Sequence, residues 1–229
     1  MTAPLSIVIP TLNAAPQLAA CLQGLVEGAS EGLVAELIIS DGGSDDDVAE
    51  LTELVGGTFI SGPRSRGGQL ARGAEAARGQ WILFLHADSH LPANWPEALQ
   101  DAMAEGTDRA WYFRLSFRSK GLGGAFVSGW ANLRSRLFGL PYGDQGLLIP
   151  AALYEKVGGH KDLPLMEDVA IARALRGRLA MLPMTLSTSA ERYEREGWIR
   201  RGARNLWTLS RYLLGADPQK LALRYSRTD

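Results

Sequence analysis

Five apolar residues in a row, Trp81-Ile82-Leu83-Phe84-Leu85, run directly into the short polar tip His86-Ala87-Asp88-Ser89. No other stretch restricts the fold as strongly. Bounded by Gly79-Gln80 before and Leu91-Pro92 after, the run suits a central strand of a parallel sheet, covered on both faces. Ligands of open α/β sheets collect beyond the carboxyl ends of such strands, so His86 and Asp88 are expected at a crevice. The competing assignment makes Asp88 only a cap for the helix that starts near Asn94.

The same succession of strand, polar tip and helix occurs upstream. Leu5-Ser6-Ile7-Val8-Ile9-Pro10 is a compact strand; Pro10-Thr11-Leu12-Asn13 stops it and leads to a helix from about Pro16 to Glu27. Glu36-Leu37-Ile38-Ile39-Ser40 ends in Asp41-Gly42-Gly43-Ser44-Asp45, after which Val48, Leu51, Leu54 and Val55 mark a helical face. A short strand at Thr58-Phe59-Ile60-Ser61 precedes the loop Gly62 to Gly68 and a helix through Leu70, Ala74 and Ala77. Strands alternating with helices predict an α/β fold with a Rossmann-like, mostly parallel sheet flanked by helices.

Beyond about residue 108 the pattern changes, which divides the chain into halves at 1–108 and 109–229 within one continuous domain. Ala110 to Arg118 ends in the alternation of a half-solvated strand. Gly121 to Leu140 reads either as an amphipathic helix or as a mobile loop over the crevice. Tyr142-Gly143-Asp144-Gln145-Gly146 leads into a strand at Leu147-Leu148-Ile149 and a short helix from Ala151 to Val157. Glu167-Asp168 then opens a helix carrying Val169, Ala172 and Leu175, where acidic residues complement the helix dipole whether or not they do chemistry. The segment Arg192 to Leu214 carries six arginines against two glutamates, interleaved with Trp198, Ile199, Leu206, Trp207, Tyr212 and Leu213. Such a basic amphipathic helix lies on an anionic membrane surface, binds substrate phosphates, or packs its apolar face on the domain with the arginines solvated.

At 46% hydrophobic residues, the chain of 229 has ample material for a core. Its net charge of −1 argues against nucleic acid as a partner. The single cysteine, Cys21, excludes an internal disulfide framework and a thiolate metal site, and its helical context suggests a buried small hydrophobe. There is no apolar run of the roughly 18 residues that span a membrane and no signal-peptide pattern, so the expected location is cytoplasmic, with peripheral contact at the inner face of the cell membrane.

Three strand-end tips, Thr11 to Asn13, Asp41 to Ser44 and His86 to Asp88, are expected side by side along one sheet edge, together with Arg66 and Gly67. Their chemistry suits a nucleotide: Asp41 can accept from a base or ribose, Arg64 and Arg66 can pair with phosphate, and Asp88 can hold a hard cation. Mg2+ or Mn2+ needs only one or two carboxylates beside ligand phosphates and waters. The glycine spacings of a dinucleotide fingerprint and of a P-loop are absent, which argues against a dehydrogenase or an ordinary NTPase.

Four motifs in order carry a family resemblance: Ser6 to Asn13, Asp41-Gly42-Gly43-Ser44-Asp45, the strand into His86-Ala87-Asp88, and Met166-Glu167-Asp168. Together they resemble the motif series of family 2 glycosyltransferases with the GT-A fold. Gly143-Asp144-Gln145-Gly146 with Pro164 to Asp168 is similar to a narrower group of small transferases, the rSAM/selenodomain-associated or arsenosugar-biosynthesis type. The resemblance implies an inverting transfer from a UDP- or GDP-sugar, with residues 1–108 binding the nucleotide-sugar and 109–229 the acceptor. It implies that Pro10, Thr11, Asn13, Asp41, Gly42, Arg66, Gly67 and Ala87 line the nucleotide and that Asp88 holds the metal. Asp168 is then the general base, with Glu167 as the alternative base or a partner orienting the acceptor; Asp144, Gln145 and Arg192 attend acceptor and diphosphate. His86 stands where the family usually has the first acid of Asp-x-Asp, so it is a weaker metal-ligand candidate. The alternatives are nucleotidyl transfer on a sugar phosphate and a membrane-peripheral nucleotide-sugar binder without catalysis.

Overall fold

The computed structural model describes residues 3–226. Its spine is a seven-stranded sheet in the order β3-β2-β1-β4-β6-β5-β7. The elements of the first half are β1 (Leu5–Thr11), α1 (Ala15–Gln23), α2 (Val26–Ser30), β2 (Val34–Asp41), α3 (Val48–Leu54), β3 (Thr58–Ser61), α4 (Arg66–Ala76), β4 (Trp81–Phe84) and α5 (Trp95–Ala104). The second half holds β5 (Ala110–Arg118), α6 (Leu122–Phe138), a 3-10 turn (Gly143–Gln145), β6 (Leu147–Pro150), α7 (Ala151–Lys156), α8 (Glu167–Ala174), β7 (Leu179–Ser189), α9 (Glu191–Glu196), α10 (Trp198–Leu213) and α11 (Pro218–Ser226). Only β6 runs against its neighbours, β4 and β5; every other pairing is parallel.

Strands β1 and β4 are buried on both faces, the reason their sequences are continuous apolar runs. Leu5, Ile7 and Ile9 of β1 join Trp81, Leu83, Leu18, Trp95 and Leu99 on one side of the sheet. Val8, Ile82 and Phe84 point the other way, into a cluster with Ile38, Ile149 and Ile171. Cys21 lies in the first cluster, with its thiol pKa pushed up to about 12 chiefly by burial, as suits a small hydrophobe.

The structure decides one open reading, at Gly121 to Leu140, and departs from the sequence reading in three places. The helix expected from Pro16 to Glu27 is two helices parted at Gly24, whose carbonyl accepts a bond from Trp95 Nε1 at 2.9 Å. Gly121 to Leu140 is a helix, α6, which stops at Gly139 in the left-handed conformation (φ 63°) with its N–H bonded to the Ser135 carbonyl. The basic C-terminal segment is split between α9 and α10 and followed by α11. The eleven-residue strand β7, absent from the sequence reading, forms the sheet edge and pairs with β5 along most of its length.

Candidate active site

The first two tips are stitched into one unit. Thr11 and Asp41 are register partners at the ends of β1 and β2, and Thr11 Oγ1 donates to Asp41 Oδ1 at 2.8 Å. Ser44 Oγ donates to the same oxygen, while the Gly43 and Ser44 N–H groups donate to Oδ2, each at 2.7 Å. Burial alone would raise the Asp41 pKa, but the bonds from Ser44, Thr11 and Gly43 outweigh it and hold the carboxyl below its ordinary range. Asn13, at φ 49°, accepts from Asp45 N at 3.0 Å and donates its own N–H to Ser44 Oγ. Behind them, Gln69 Nε2 reaches the carbonyls of Thr11 and Ser40, and Arg72 reaches that of Asp41. Asp41 thus accepts three bonds from its own loop and one from Thr11 of β1, and shapes the rim formed with Pro10, Asn13 and Gly42.

Asp88 is not a helix cap. Its Oδ2 accepts from Thr188 Oγ1 at 2.9 Å and Ser189 N at 3.3 Å, both at the end of β7, while Arg118 donates to its carbonyl at 2.8 Å. The His90 N–H and carbonyl bridge to Ser187, so the whole tip, Ala87 included, is clamped to the second half.

His86 lies between the two halves. A Cβ on Gly143 would come 2.7 Å from its Nε2, so glycine is what admits the ring. Burial, then the charge of Arg66, lowers the His86 pKa to about 4 against the raising effect of Asp88 and Asp168, leaving the imidazole neutral at pH 7. Gly143 N donates to Asp168 Oδ2 at 3.0 Å, and Val169 N donates to Oδ1 at 2.7 Å. Asp168 therefore opens α8 and also faces the crevice. It is presented there by Met166, a buried non-glycine residue at φ 66°.

Glu167 is almost fully buried, with Oε1 3.6 Å from Arg66 Nε. Burial pushes its pKa up to about 7 despite Arg66, and Asp168 adds to the rise. Asp144 rises to about 6, again through burial, with Arg134 opposing and Asp168 and Asp88 reinforcing. Asp144 Oδ1 and Glu167 Oε2 are buried with no hydrogen-bond partner among the described residues. The centre is thus crowded with carboxylate, countered by Arg66 and Arg134. Arg192, exposed on α9, also acts on His86 through its charge.

Two sequence assignments are corrected. Gln145 is fully buried: Nε2 donates to the Phe113 carbonyl (3.1 Å) and Asn132 Oδ1, and Oε1 accepts from Ser135 Oγ (2.6 Å) and Tyr142 N. It holds the 3-10 turn in place and offers nothing to acceptor or diphosphate. Gly67 is buried against the 161–163 loop: its N–H bonds the Leu163 carbonyl at 3.1 Å, and a Cβ there would lie 1.9 Å from the Lys161 carbonyl oxygen. It is glycine so that α4 can touch the 161–163 loop. Sequence reasoning missed Thr188 and Ser189 because β7 went unread, and it missed Arg118, Gln69 and Arg72 because nothing in a strand or helix marks one side chain as a backbone clamp.

Fold and site define a GT-A-type α/β domain whose polar crevice lies at the carboxyl ends of β1, β2 and β4. The sequence model of "Glycosyl transferase family 2" matches residues 6–145, and the chain belongs to that family. A "PGL/p-HBAD biosynthesis glycosyltransferase" of Mycobacterium bovis (strain BCG / Pasteur 1173P2) is 36% identical over 99 residues, a match spanning 40% of this chain and 38% of that relative's length. Among solved structures, a mannosyltransferase from Pyrobaculum calidifontis in complex with GDP-Man and Mn2+ superposes with a TM-score of 0.67 at 17% identity, covering 94% of this chain and 65% of the other. Glucosyl-3-phosphoglycerate synthase from Mycobacterium tuberculosis, in complex with Mn2+, UDP and glucosyl-3-phosphoglycerate, gives 0.54 at 18%, covering 82% and 70%.

Proposed function

We propose that this protein transfers a sugar, with inversion, from a nucleoside-diphosphate sugar to a hydroxyl acceptor, assisted by Mg2+ or Mn2+. One observation carries the reading: in a family 2 chain, the His86-Ala87-Asp88 tip of the first half packs His86 against Gly143, whose N–H donates to Asp168 Oδ2 of the second half at 3.0 Å. The relatives solved with GDP-Man and Mn2+ or with UDP and Mn2+ favour a UDP- or GDP-sugar as donor.

The nucleoside rests on the rim that Asp41 organises, against Pro10, Thr11, Asn13, Gly42 and the buried Ala87. A divalent ion fits the donor set. A cation of this kind takes one or two carboxylates and completes its shell with phosphates and water. A buried Asp144 oxygen without a hydrogen-bond partner among the described residues, in a centre whose charge Asp168 and Asp88 add to, fits a cation nearby. Asp88 would hold it, with His86 adjacent, and the ion would there stabilise charge on the departing diphosphate. Arg66 and Arg192 supply further positive charge to the diphosphate. Asp168 takes the proton from the acceptor hydroxyl as its oxygen bonds the anomeric carbon and the bond to the diphosphate oxygen breaks. Gly143 N and Val169 N each use one lone pair of Asp168, and the remaining pairs are open to the acceptor. Glu167, held by Arg66, orients it. A cytoplasmic location, peripheral at the inner membrane face, belongs to the same reading; among the described residues no helix is long and apolar enough to cross a membrane.

The test is a thermal-shift screen of UDP and GDP with Mn2+, followed by sugar transfer assays. The expected result is a metal-dependent rise in Tm that Asp88→Asn abolishes, with transfer lost in Asp168→Asn while nucleotide binding persists. Absence of any metal-dependent shift with either nucleotide refutes the reading.

A further inference from the structure

Helices α6 and α10 pack against each other where the Trp198 indole lies on Gly123 and Gly124; a Cβ on Gly123 would stand 2.6 Å from that ring. Each helix turns a largely polar set inward. Ser128, Arg134 and Ser135 are buried on α6, and Arg201 and Thr208 on α10. The outward faces are the apolar ones, the reverse of an ordinary surface helix. On α6, Leu122, Phe126, Trp130, Leu133 and Leu137 recur at steps of three and four residues and are 47–90% exposed. On α10, Ile199, Leu206, Trp207 and Leu213 form a similar row, 45–84% exposed. These two helices and the residue after each hold eleven of the sixteen exposed large hydrophobics among the described residues. Scattered exposed leucines need no explanation, but a concentrated patch marks an interaction surface.

Charge selects the occupant. Neither α6 nor α10 contains an acidic residue, and segments 118–140 and 192–226 together hold 12 of the 24 lysines and arginines but 3 of the 25 acids of a chain with net charge −1. Lys120, Arg136, Arg200 and Arg211 are exposed beside the apolar rows. A second copy of this chain docked on the same face would oppose positive charge with positive charge, whereas an anionic bilayer neutralises it. Half-exposed tryptophans on a basic helix suit the headgroup boundary, where one side of the ring is apolar and the other wet.

We propose that the outer faces of α6 and α10 form a docking surface for an anionic lipid bilayer. The proposal deepens the peripheral location in the reading above, while its physical basis is independent of the transfer chemistry. It also bears on the acceptor. Ser135 Oγ of α6 donates to Gln145 in the 3-10 turn, and Arg134 lies 3.5 Å over the Tyr142 ring, next to the Gly143 that bonds Asp168. A bilayer against α6 therefore lies beside the edge of the crevice where the acceptor enters.

The experiment is co-sedimentation of the full chain with phosphatidylcholine vesicles, with and without phosphatidylglycerol, at low and high salt. Binding is expected only with the anionic lipid and is weakened by salt. Phe126→Glu and Trp207→Glu, one on each helix, should each weaken partitioning at least about tenfold, with Tm and the nucleotide-dependent Tm shift unchanged. If either variant fails to fold, Arg200→Ser and Arg211→Ser take its place, each expected to cost roughly fivefold. No binding to anionic vesicles, undiminished binding by the folded variants, or a stable solution dimer that the same substitutions dissociate would overturn the proposal. Vesicle binding needs no donor, so its failure leaves the nucleotide shift intact and the two readings separable.

Discussion

Replacing Gln145 by leucine tests whether the site is held from beneath. The substitution keeps approximate size and removes four hydrogen bonds from a fully buried position. Two of the partners have alternatives: Ser135 Oγ already reaches the Ala131 carbonyl at 2.8 Å, and Asn132 Oδ1 already accepts from Leu115 N at 2.8 Å. The Tyr142 N–H and the Phe113 carbonyl have no second side-chain partner of that kind among the described residues. Phe113 sits where the β5–β7 register breaks between Tyr112 and Arg114. A stranded buried polar group costs about 1–3 kcal/mol, so Gln145→Leu should lose about 2–5 kcal/mol. For a chain of this size that is a fall in Tm of about 5–15 °C. Urea unfolding should show a lower midpoint with unchanged slope. Transfer should fall as well, because the turn that Gln145 secures carries Gly143, the donor to Asp168. A loss below about 1 kcal/mol refutes the reasoning, since two stranded groups cannot cost so little. Unchanged stability with weakened nucleoside-diphosphate binding would do so differently, by returning Gln145 to the diphosphate.

Gly67→Ala should destabilise the protein by about 1–3 kcal/mol, because its Cβ meets the backbone of Lys161 rather than a side chain able to swing aside. Denaturant unfolding measures this, and kcat should fall more than KM rises, since the displaced loop leads to Glu167 and Asp168. Stability should also respond to pH through the buried acids. The folded pKa values of Asp144 and Glu167 are raised, to about 6 and about 7 from 3.8 and 4.5, so between those limits the folded state binds more protons than the unfolded. Their effect is to make stability fall as pH rises through that window. Glu167→Gln should flatten the fall in Tm scans across the window, and an unaltered slope would contradict the burial argument. Asp41 works oppositely: its lowered pKa gives stability present above its unfolded value and lost as pH drops through the folded one.

What the sequence disclosed divides along physical lines. β1 and β4 were legible because a strand buried on both faces is apolar nearly throughout, β2 through the apolar run Leu37 to Ile39, and their tips because polar residues at such strand ends face the crevice. β7 was hidden by Pro183 in its middle, where a strand reading fails; the structure tolerates it because β7 is the sheet edge and its register with β5 shifts between Tyr112 and Arg114. Gln145 and Gly67 stood in motifs beside functional residues and were assigned accordingly, whereas their work is to satisfy buried amides and to admit a close backbone contact. Neither role has a sequence signature, because each depends on what lies opposite in space. The outward apolar face of α6 was ambiguous for the same reason: its residues were plain, but which side the core would take was not.

The missed contacts also explain why the two halves hold their carboxylates in register. One clamp runs from Asp88 to Thr188 and Ser189, reinforced by Arg118 on the Asp88 carbonyl. The second runs from the start of α4, where Ser65 bonds Asp162, Gly67 bonds Leu163 and Arg66 meets Glu167. Backbone groups and short side chains, which lose little rotamer freedom on ordering, make up most of both clamps, beside the longer arms of Arg118, Arg66 and Glu167. Asp88 and Asp168 are therefore placed by strand ends and a helix start rather than by long flexible arms, the condition for acid–base and ion-binding groups to act without reorganisation. The left-handed backbone at Met166, a strain of about 1–3 kcal/mol, persists because these clamps fix the chain on both sides of it. A site assembled across two halves in this way loses function through faults in its clamps as readily as through faults in its carboxylates.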